Sequence, residues 1–396
     1  MEKNKFLIYA AGCFRGVSTS FMGIIIAIYC DSIGLSSSQI GILITLGLAG
    51  GTGATLIVSL LGDRMGRRRT LIVLAFFSAL GGIGLFATQH FLLLCLVVFF
   101  GMVNGMGRDR MAAFTLEQAI LSSTPGLQAR TKAFASYNFI LDMGNGIGSL
   151  LGGLPIFFRN FFHQSEMTSY QMTFIFYAIL MIASGLIYTR LSPDIEIKQE
   201  HFQILSKQSK KNILRFSSIS LMDAIGGGFL TSALIAYWFF KKFGVSEEII
   251  GVVFFFARIA NASSFFVAAW LSKKIGLLNT MVFTHIPASL LLMAIPFAPT
   301  FGIAVILYLI RESLVEMDLP TRQSYLASIV EPHERTFALG TLNVTRNLGW
   351  AISPAIAGYG MRFLSLSSPL FIGPSLKIIY DGLLYSAFRK IKPNNS

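Results

Sequence analysis

The chain has 396 residues, of which 54% are hydrophobic and only 13% are charged, and it contains 36 phenylalanines. Its mean hydropathy is +0.65. Water-soluble proteins carry roughly a quarter of their residues as charged side chains. The composition therefore excludes a soluble globular protein and predicts an all-α membrane protein that crosses the bilayer many times.

Twelve apolar stretches are each long enough to cross a bilayer as a helix, which takes about 20 residues. The first has no small-residue cleavage pattern after it, so we interpret it as a retained span and not as a signal peptide. Both termini are expected in the cytoplasm. The predicted spans cover 7–30, 39–61, 70–88, 91–121, 132–157, 171–189, 213–240, 249–271, 277–297, 300–329, 337–360 and 370–388.

The net charge of +13 comes from 32 basic and 19 acidic residues. A positive excess of this size is also found in proteins that bind nucleic acid. Here most of the basic residues fall in segments that the twelve-span layout places in the cytoplasm, as the positive-inside rule expects. Topology thus explains the charge. We predict a multi-pass protein of the inner (plasma) membrane, with the lipid bilayer and no nucleic acid as a partner.

The three cysteines, Cys13, Cys30 and Cys95, lie in spans or at their ends. Their spacing matches neither a metal site nor a disulfide framework. We interpret them as small apolar side chains. No metal and no other cofactor is predicted.

A long polar stretch near the middle of the chain separates six spans from six. The predicted organisation is an N-terminal six-helix bundle over 1–191, a cytoplasmic loop over 192–212 and a C-terminal six-helix bundle over 213–396. The sequence that begins span 5 at Arg130 also has a similar counterpart at the start of span 11, at Arg335. Parallel six-span repeats occur in secondary transporters.

The connection after span 2 holds the densest cluster of positive charge in the chain. It resembles the signature loop of the major facilitator superfamily, with Ser59 in place of that pattern's first glycine. The resemblance implies twelve transmembrane helices in two pseudo-symmetric six-helix bundles, and a loop that ties the two halves together in the outward-open state. The residues that match are Asp63, Arg64, Gly66, Arg67 and Arg68.

The residue types of this loop suit a latch. The Asp63 carboxylate is able to accept backbone N–H groups at a helix start, where the dipole favours an anion. The arginines are able to pair with acids or with helix carbonyl ends. The alternative is that the arginines only fix the topology, but this leaves Asp63 and Gly66 unexplained.

Span 5 contains glycines that resemble a motif of the family's proton antiporters, although Ser149 replaces the proline of that motif. Glycines four residues apart share one helical face and allow another helix to approach closely. Close packing alone accounts for them. The resemblance adds a seal against proton leak and favours export. The glycines are Gly144, Gly148, Gly152 and Gly153.

Charged residues also lie inside the spans. Each costs roughly 2.5 to 3.5 kcal/mol at the bilayer centre, so we expect these side chains to pair with one another or to face water. The family resemblance implies that spans 1, 4, 7 and 10 line a central cavity. The candidates there for solute binding or coupling are Arg15, Arg108, Asp109, Arg110, Asp223, Arg311, Glu312, Glu316 and Asp318.

Two of these acids, Glu312 and Glu316, are four residues apart and are expected on one helix face. Their mutual repulsion suits a proton carrier, unless Arg311 or an arginine of span 4 neutralises them permanently. Glu117 and Arg322 lie nearer the predicted cytoplasmic end and are interpreted as gate or latch partners.

Further charges are assigned to structure or to coupling. Lys377 and Asp381 are expected to pair within one helix, and His285 is interpreted as a satisfied buried histidine. Arg346 is expected to contact solute or to pair with an acid. The residues assigned to structural or coupling pairs are Asp142, Arg258 and Arg346.

Together these features predict a monomeric secondary active transporter that moves a small polar or charged organic solute by alternating access, coupled to protons and with export favoured. The alternative is an importer of a metabolite or siderophore. No nucleotide-binding loop of the GxxxxGK type occurs, so ATP is not the driving ligand. A membrane enzyme would need a nucleophile beside a base, and a non-transporting receptor would normally carry a soluble domain; neither pattern stands out.

Overall fold

The computed structural model describes residues 2–122, 127–196, 206–330 and 335–389. These residues form helices and no strand. Eight helical segments are long and apolar enough to cross a membrane. The predicted all-α membrane fold is confirmed, and the helices follow the twelve predicted spans in order.

The α-helices of the described residues are, in chain order, α1 (Glu2–Ser32), α2 (Ser37–Met65), α3 (Arg67–Ala87), α4 (Phe91–Phe100), α5 (Ala112–Ser122), α6 (Leu127–Leu150), α7 (Leu154–Phe162), α8 (Glu166–Tyr188), α9 (Lys207–Gly228), α10 (Ser232–Phe243), α11 (Glu247–Ile275), α12 (Leu277–Ala294), α13 (Phe301–Val315), α14 (Asp318–Ser328), α15 (Arg335–Phe363) and α16 (Pro369–Phe388).

The helices belong to two compact units. The described residues of unit 1 lie within 1–200 and 231–255, and those of unit 2 lie within 201–230 and 256–396. Unit 1 therefore holds α1 to α8, α10 and the start of α11. Unit 2 holds α9, the rest of α11 and α12 to α16.

The sequence predicts span 4 as one continuous helix, but it consists of two helices joined by an irregular segment. Helix α4 ends at Phe100 and α5 begins at Ala112. Gly107 has φ +69°, a conformation that suits glycine and ends helical geometry. The Asn104 side chain supports the turn, because it accepts the N–H of Met106 at 2.7 Å and donates to the carbonyl of Arg108 at 2.8 Å. Irregular backbone at membrane depth needs such internal partners.

Spans 5, 7 and 10 are also divided. A short 3₁₀ turn over Leu151–Gly153 separates α6 from α7, and residues 229–231 separate α9 from α10 after three consecutive glycines. In span 10, α13 ends at Val315 and α14 begins at Asp318. Pro320 follows in the first turn of α14, where its missing N–H leaves no helical hydrogen bond unmade. Span 10 is therefore interrupted between Val315 and Asp318.

The core of unit 1 is built around α1, because 89% of the most apolar 18-residue stretch of this helix is buried. Helix α6 packs on it so closely that a Cβ on Gly148 would lie 2.2 Å from the carbonyl oxygen of Val17. A Cβ on Gly144 would lie 2.7 Å from that of Cys13. Gly152 instead faces a side chain of α1, and Gly153 faces Glu248 at the start of α11.

Unit 2 has its own core, in which α9 packs on α15 and α16 while α12 packs on α16. Aromatic rings fill the space between them. The ring of Phe216 lies 5.3 Å from that of Phe388 in an edge-to-face contact, and Tyr325 packs against both. This arrangement directs the polar residues of α9, α12 and α16 toward one another.

Candidate functional site

A buried ion cluster lies at the centre of unit 1, where Arg15 of α1 meets two acids of span 4. The two terminal nitrogens of Arg15 each lie 2.8 Å from an oxygen of Glu117, and Arg15 Nε lies 2.5 Å from Asp109 Oδ2. Arg15 is 4% exposed and Glu117 is fully buried. The paired, planar contact is the strong form of an arginine–carboxylate interaction.

Two tyrosines complete the hydrogen bonds of Glu117. The hydroxyl of Tyr137 donates to Glu117 Oε2 at 2.5 Å, and that of Tyr188 donates to Oε1 at 2.8 Å. Asp109 is less fully bonded, since its other oxygen accepts only a long 3.4 Å contact from the N–H of Met111 among the contacts described. Glu117 is thus a structural counter-ion, while Asp109 keeps capacity for another partner.

Asp109 and Arg15 face a small cavity inside unit 1, of about 50 Å³. A space of this size holds a few water molecules and is too small for an organic solute. The Asp109 carboxylate, which has few hydrogen bonds among the contacts described, therefore lies next to a space that can hold water. Other polar and sulfur-containing residues of its lining are Thr19, Ser78, Asn104, Met102, Met111 and Met181.

Unit 2 has a buried cluster of the opposite sense, in which one acid is surrounded by bases. Asp223 of α9 accepts from Lys377 Nζ at 2.7 Å on one oxygen. Its other oxygen accepts from Arg322 at 2.8 Å and from Arg346 at 2.9 Å. Arg322 also pairs with Asp318. Arg346 therefore takes the second of its two predicted roles, pairing with an acid.

The predicted pair of Lys377 with Asp381 is replaced by contacts with other helices. Lys377 Nζ lies 3.3 Å from His285 Nε2 as well as 2.7 Å from Asp223, and His285 Nδ1 lies 3.0 Å from both oxygens of Asp381. Spacing by four residues does put Lys377 and Asp381 on one face of α16. The same face packs on α9 and α12, whose polar side chains are better placed.

The predicted signature loop is reduced to a single residue, Gly66, between α2 and α3, with φ +86°. The anion at the start of α3 is Glu196, which accepts the N–H groups of Arg67 at 2.7 Å and of Arg68 at 3.1 Å. The latch hypothesis assigned this kind of contact to Asp63, whose side chain lies outside the described residues. Glu196 follows span 6 and was not singled out from the sequence.

The arginines of this junction contact helix ends within unit 1. The guanidinium of Arg67 is buried and donates to the carbonyl of Ala119 at 3.4 Å and to that of Ile195 at 3.5 Å. Arg68 donates to the carbonyl of Thr189. Arg64 is exposed. The contacts described thus join α3 to the ends of α5 and α8.

The structure relocates several other predicted site residues. Glu117 and Arg322, predicted as latch partners, lie in the two buried ion clusters, since each has fixed partners there. Glu312 and Glu316 do not share a continuous helix, because α13 ends at Val315. Glu312 instead pairs with Arg311 and accepts from Asn261 at 2.8 Å.

The remaining predicted residues occupy half-buried positions. Arg108 and Arg110 lie in the irregular segment of span 4, and Arg258 lies on α11. Asp142 lies 3.4 Å from the side-chain nitrogen of Asn145, one turn along the same helix.

The residues that the sequence did not reveal are partners of the predicted charges, chiefly Glu196, Tyr137, Tyr188 and Glu247. Tyrosine has no charge, so its role as donor to Glu117 has no signal in charge patterning. Glu196 lies in the predicted central loop, and Glu247 lies two residues before predicted span 8. At such positions an acid is expected as ordinary loop polarity.

Unit 1 has a further buried acid at the start of α11. Glu247 is 4% exposed, accepts from Arg159 at 3.2 Å and from the hydroxyl of Tyr170. Nearby, Lys241 of α10 lies 2.8 Å from Asp31 at the end of α1. These contacts fasten residues 231–255 to the helices of the first two hundred residues.

We expect Glu247→Gln to loosen this fastening, because charge-assisted hydrogen bonds contribute about 1.5–3 kcal/mol each. Cys30, which is 1% exposed on α1, reports the change. In purified protein carrying Cys13→Ser and Cys95→Ser, reaction of Cys30 with N-ethylmaleimide should speed up by roughly tenfold, the equivalent of about 1.4 kcal/mol.

The control for this measurement is Glu248→Gln, which neutralises the neighbouring exposed carboxyl. It should leave the Cys30 rate within about twofold of the parent, as surface substitutions usually change stability little. Equal rates in both variants would show that Glu247 does not hold this segment.

Comparisons with known proteins agree with this geometry. A family model described as Major Facilitator Superfamily matches residues 8–354 and, in a second match, residues 216–395. An uncharacterized membrane protein of Saccharomyces cerevisiae is 22% identical over 96% of this chain and 93% of its own length.

Solved structures share the fold. A bacterial homolog of the human lysosomal transporter Spinster has a TM-score of 0.76 at 15% identity, covering 98% of this chain and 96% of that one. A D-xylose-proton symporter has 0.75 at 14% identity, covering 99% and 98%. A point mutant of the nucleoside transporter NupG has 0.74 at 13% identity, covering 98% and 99%.

The described residues thus form a multi-span helical fold with a buried ion cluster in each of two units. The chain belongs to the Major Facilitator Superfamily. Members of this family bind small-molecule solutes, which makes a small molecule the partner class here.

Proposed function

We propose that the protein is a proton-coupled secondary transporter that moves a small polar or charged organic solute by alternating access between its two halves. It acts as a monomer in the inner membrane, with both termini in the cytoplasm. Arg108, Arg110 and Arg311 orient the solute, whereas Arg15 is held by Glu117 and Asp109. Acids of spans 4, 7 and 10 carry the coupling proton.

The observation that carries this proposal is the position of Asp109. Asp109 is 9% exposed, and its carboxylate faces the small cavity of unit 1 and has fewer hydrogen bonds among the described contacts than Glu117 beside it. A carboxylate in such a place can take up a proton without breaking the Arg15–Glu117 pair. Intramembrane acids of this kind mark proton and ion paths in transporters.

Export is the favoured direction, because of the glycines of span 5. Import is the second candidate, because Ser149 weakens the resemblance to antiporters on which export rests. The Ser149 hydroxyl lies 2.9 Å from that of Ser20 on α1 and 3.0 Å from the carbonyl of Asn145. It forms a polar contact between helices where the antiporter motif has proline, so the resemblance to antiporters is incomplete at this position.

The test begins with a solute. Purified protein is screened against metabolites, drugs and siderophores for a rise in melting temperature, since a ligand stabilises the folded state by mass action. The compound found is then used in proteoliposomes. Asp109→Asn should reduce its accumulation under an imposed pH gradient at least tenfold, or about 1.4 kcal/mol, while solute exchange without a gradient continues.

The matched control is Asp194→Asn, which changes an exposed carboxyl in the same way and should accumulate solute like the parent. If Asp109→Asn concentrated the solute with the parent's dependence on the pH gradient, Asp109 would not be the coupling acid. If the parent itself ignored the pH gradient, proton coupling would be wrong altogether.

A further inference from the structure

The polar chain that leaves Asp223 through α16 and α12 has a defined hydrogen-bond direction. Lys377 carries only donors, so at 3.3 Å from His285 Nε2 it faces an acceptor. The Asp381 carboxylate carries only acceptors, so His285 Nδ1 bears the hydrogen that it receives. In this arrangement a neutral His285 ring carries its hydrogen on Nδ1, and both of its nitrogens are fixed by their neighbours.

Charged groups of both signs surround His285. Three carboxylates, Asp223, Asp318 and Asp381, lie in the cluster with three cations, Arg322, Arg346 and Lys377, and Glu316 also acts on Arg322. The ring of Tyr380 is 6.1 Å away, edge-on to the imidazole. His285 is 1% exposed. It is the one group of this cluster whose charge ordinarily changes between about pH 5 and 8.

His285 Nε2 also lies 3.7 Å from Asp223 Oδ1, so a second hydrogen on Nε2 would oppose Lys377 at 3.3 Å and add a further positive charge beside Asp223. Lys377 would then leave His285 and bind Asp223 alone, which is already 2.7 Å away. The extra positive charge would also weaken the hold of Asp223 on its other cations. Arg346 is the cation most open to release, since its side chain is 14% exposed against 3% for Arg322.

From this geometry we infer that His285, held between Lys377 and Asp381, is a proton-binding site in unit 2. Its protonation acts through Lys377 on Asp223 and loosens Arg346. The biological role of this proton site rests on the proposed transport function, but the site itself is defined by contacts within unit 2 alone. It places a proton on spans 9 and 12, and not on the acids of spans 4, 7 and 10 that the transport proposal names.

The experiment observes the imidazole directly, in protein labelled with ¹⁵N-histidine and held in lipid nanodiscs. His285→Gln assigns the His285 signals by their loss. Between about pH 5 and 9 the signals should change from a neutral ring protonated at Nδ1 to a doubly protonated ring. A ring protonated at Nε2, or one that stays neutral throughout, would overturn the inference.

Two variants test the neighbours. Lys377→Met removes the opposing donor and should raise the proton affinity of His285 at least tenfold, whereas Asp381→Asn removes the accepting carboxylate and should lower it about tenfold. Unchanged titration in both folded variants would refute the role of the chain, and if either fails to fold, the ring state of the parent protein decides. No solute is needed, so a transport assay without proton dependence would contradict the proposed function and leave this result standing.

Discussion

Glu117→Ala is expected to lower the free energy of unfolding by about 3–5 kcal/mol, the usual cost of removing one partner of a buried ion pair. The substitution leaves Arg15, which is 4% exposed, with Asp109 as its remaining charged partner. It also deprives the hydroxyls of Tyr137 and Tyr188 of their acceptor. Thermal and denaturant unfolding of the purified protein in detergent measure the loss.

The control is Glu166→Ala, which truncates an exposed glutamate at the start of α8 and should change stability by less than about 0.5 kcal/mol. The triple variant Arg15→Met, Asp109→Asn and Glu117→Leu should be more stable than Glu117→Ala, because no charge of this buried cluster is then left alone. Equal stability of Glu117→Ala and the parent would mean that the pair is not maintained in the membrane protein.

Gly148→Ala is expected to destabilise the packing of α6 on α1 by about 1–3 kcal/mol or more, as overpacking of a tight core does. The added Cβ would lie 2.2 Å from the backbone oxygen of Val17 and 2.9 Å from Ser20 Cβ. Backbone atoms cannot move aside without displacing the helix, so the variant should show a lower melting temperature and partial aggregation on size exclusion.

Gly146→Ala provides the matched control on the same helix. Its Cβ would meet Phe255 at 3.5 Å, an ordinary van der Waals distance. Alanine also favours helix over glycine by about 1 kcal/mol, so this variant should be as stable as the parent or slightly more. If the two variants behaved alike, the close approach of α6 to α1 would not be present in the folded protein.

The overall fold could be predicted because hydrophobicity and charge follow directly from the bilayer. Stretches of apolar residues must be helical to satisfy their backbone in lipid, and the basic loops set the topology. The family could be recognised from five residues around Gly66. The breaks in spans 4 and 7 could not, since glycine is also common in continuous transmembrane helices.

The pairing of the buried charges could be predicted only in part. Spacing of four residues along a helix is visible in a sequence, and it led to the pair of Lys377 with Asp381. Contacts between helices depend on how each helix is rotated about its axis. This rotation places Asp223 next to Lys377 and His285 next to Asp381. The rotation of the helices also decides whether Arg346 pairs with an acid, and the sequence does not reveal this rotation.

Each unit neutralises its central charge with residues of its own, Arg15 through two acids of span 4 and Asp223 through bases of spans 10 to 12. During synthesis all charged residues of the first cluster are present once residue 117 has been made, long before those of the second cluster. An isolated arginine in the bilayer would be costly while the rest of the chain is translated. Because Arg15 is neutralised by acids made soon after it, it can be inserted into the membrane as part of an ion pair before the second half of the chain is made.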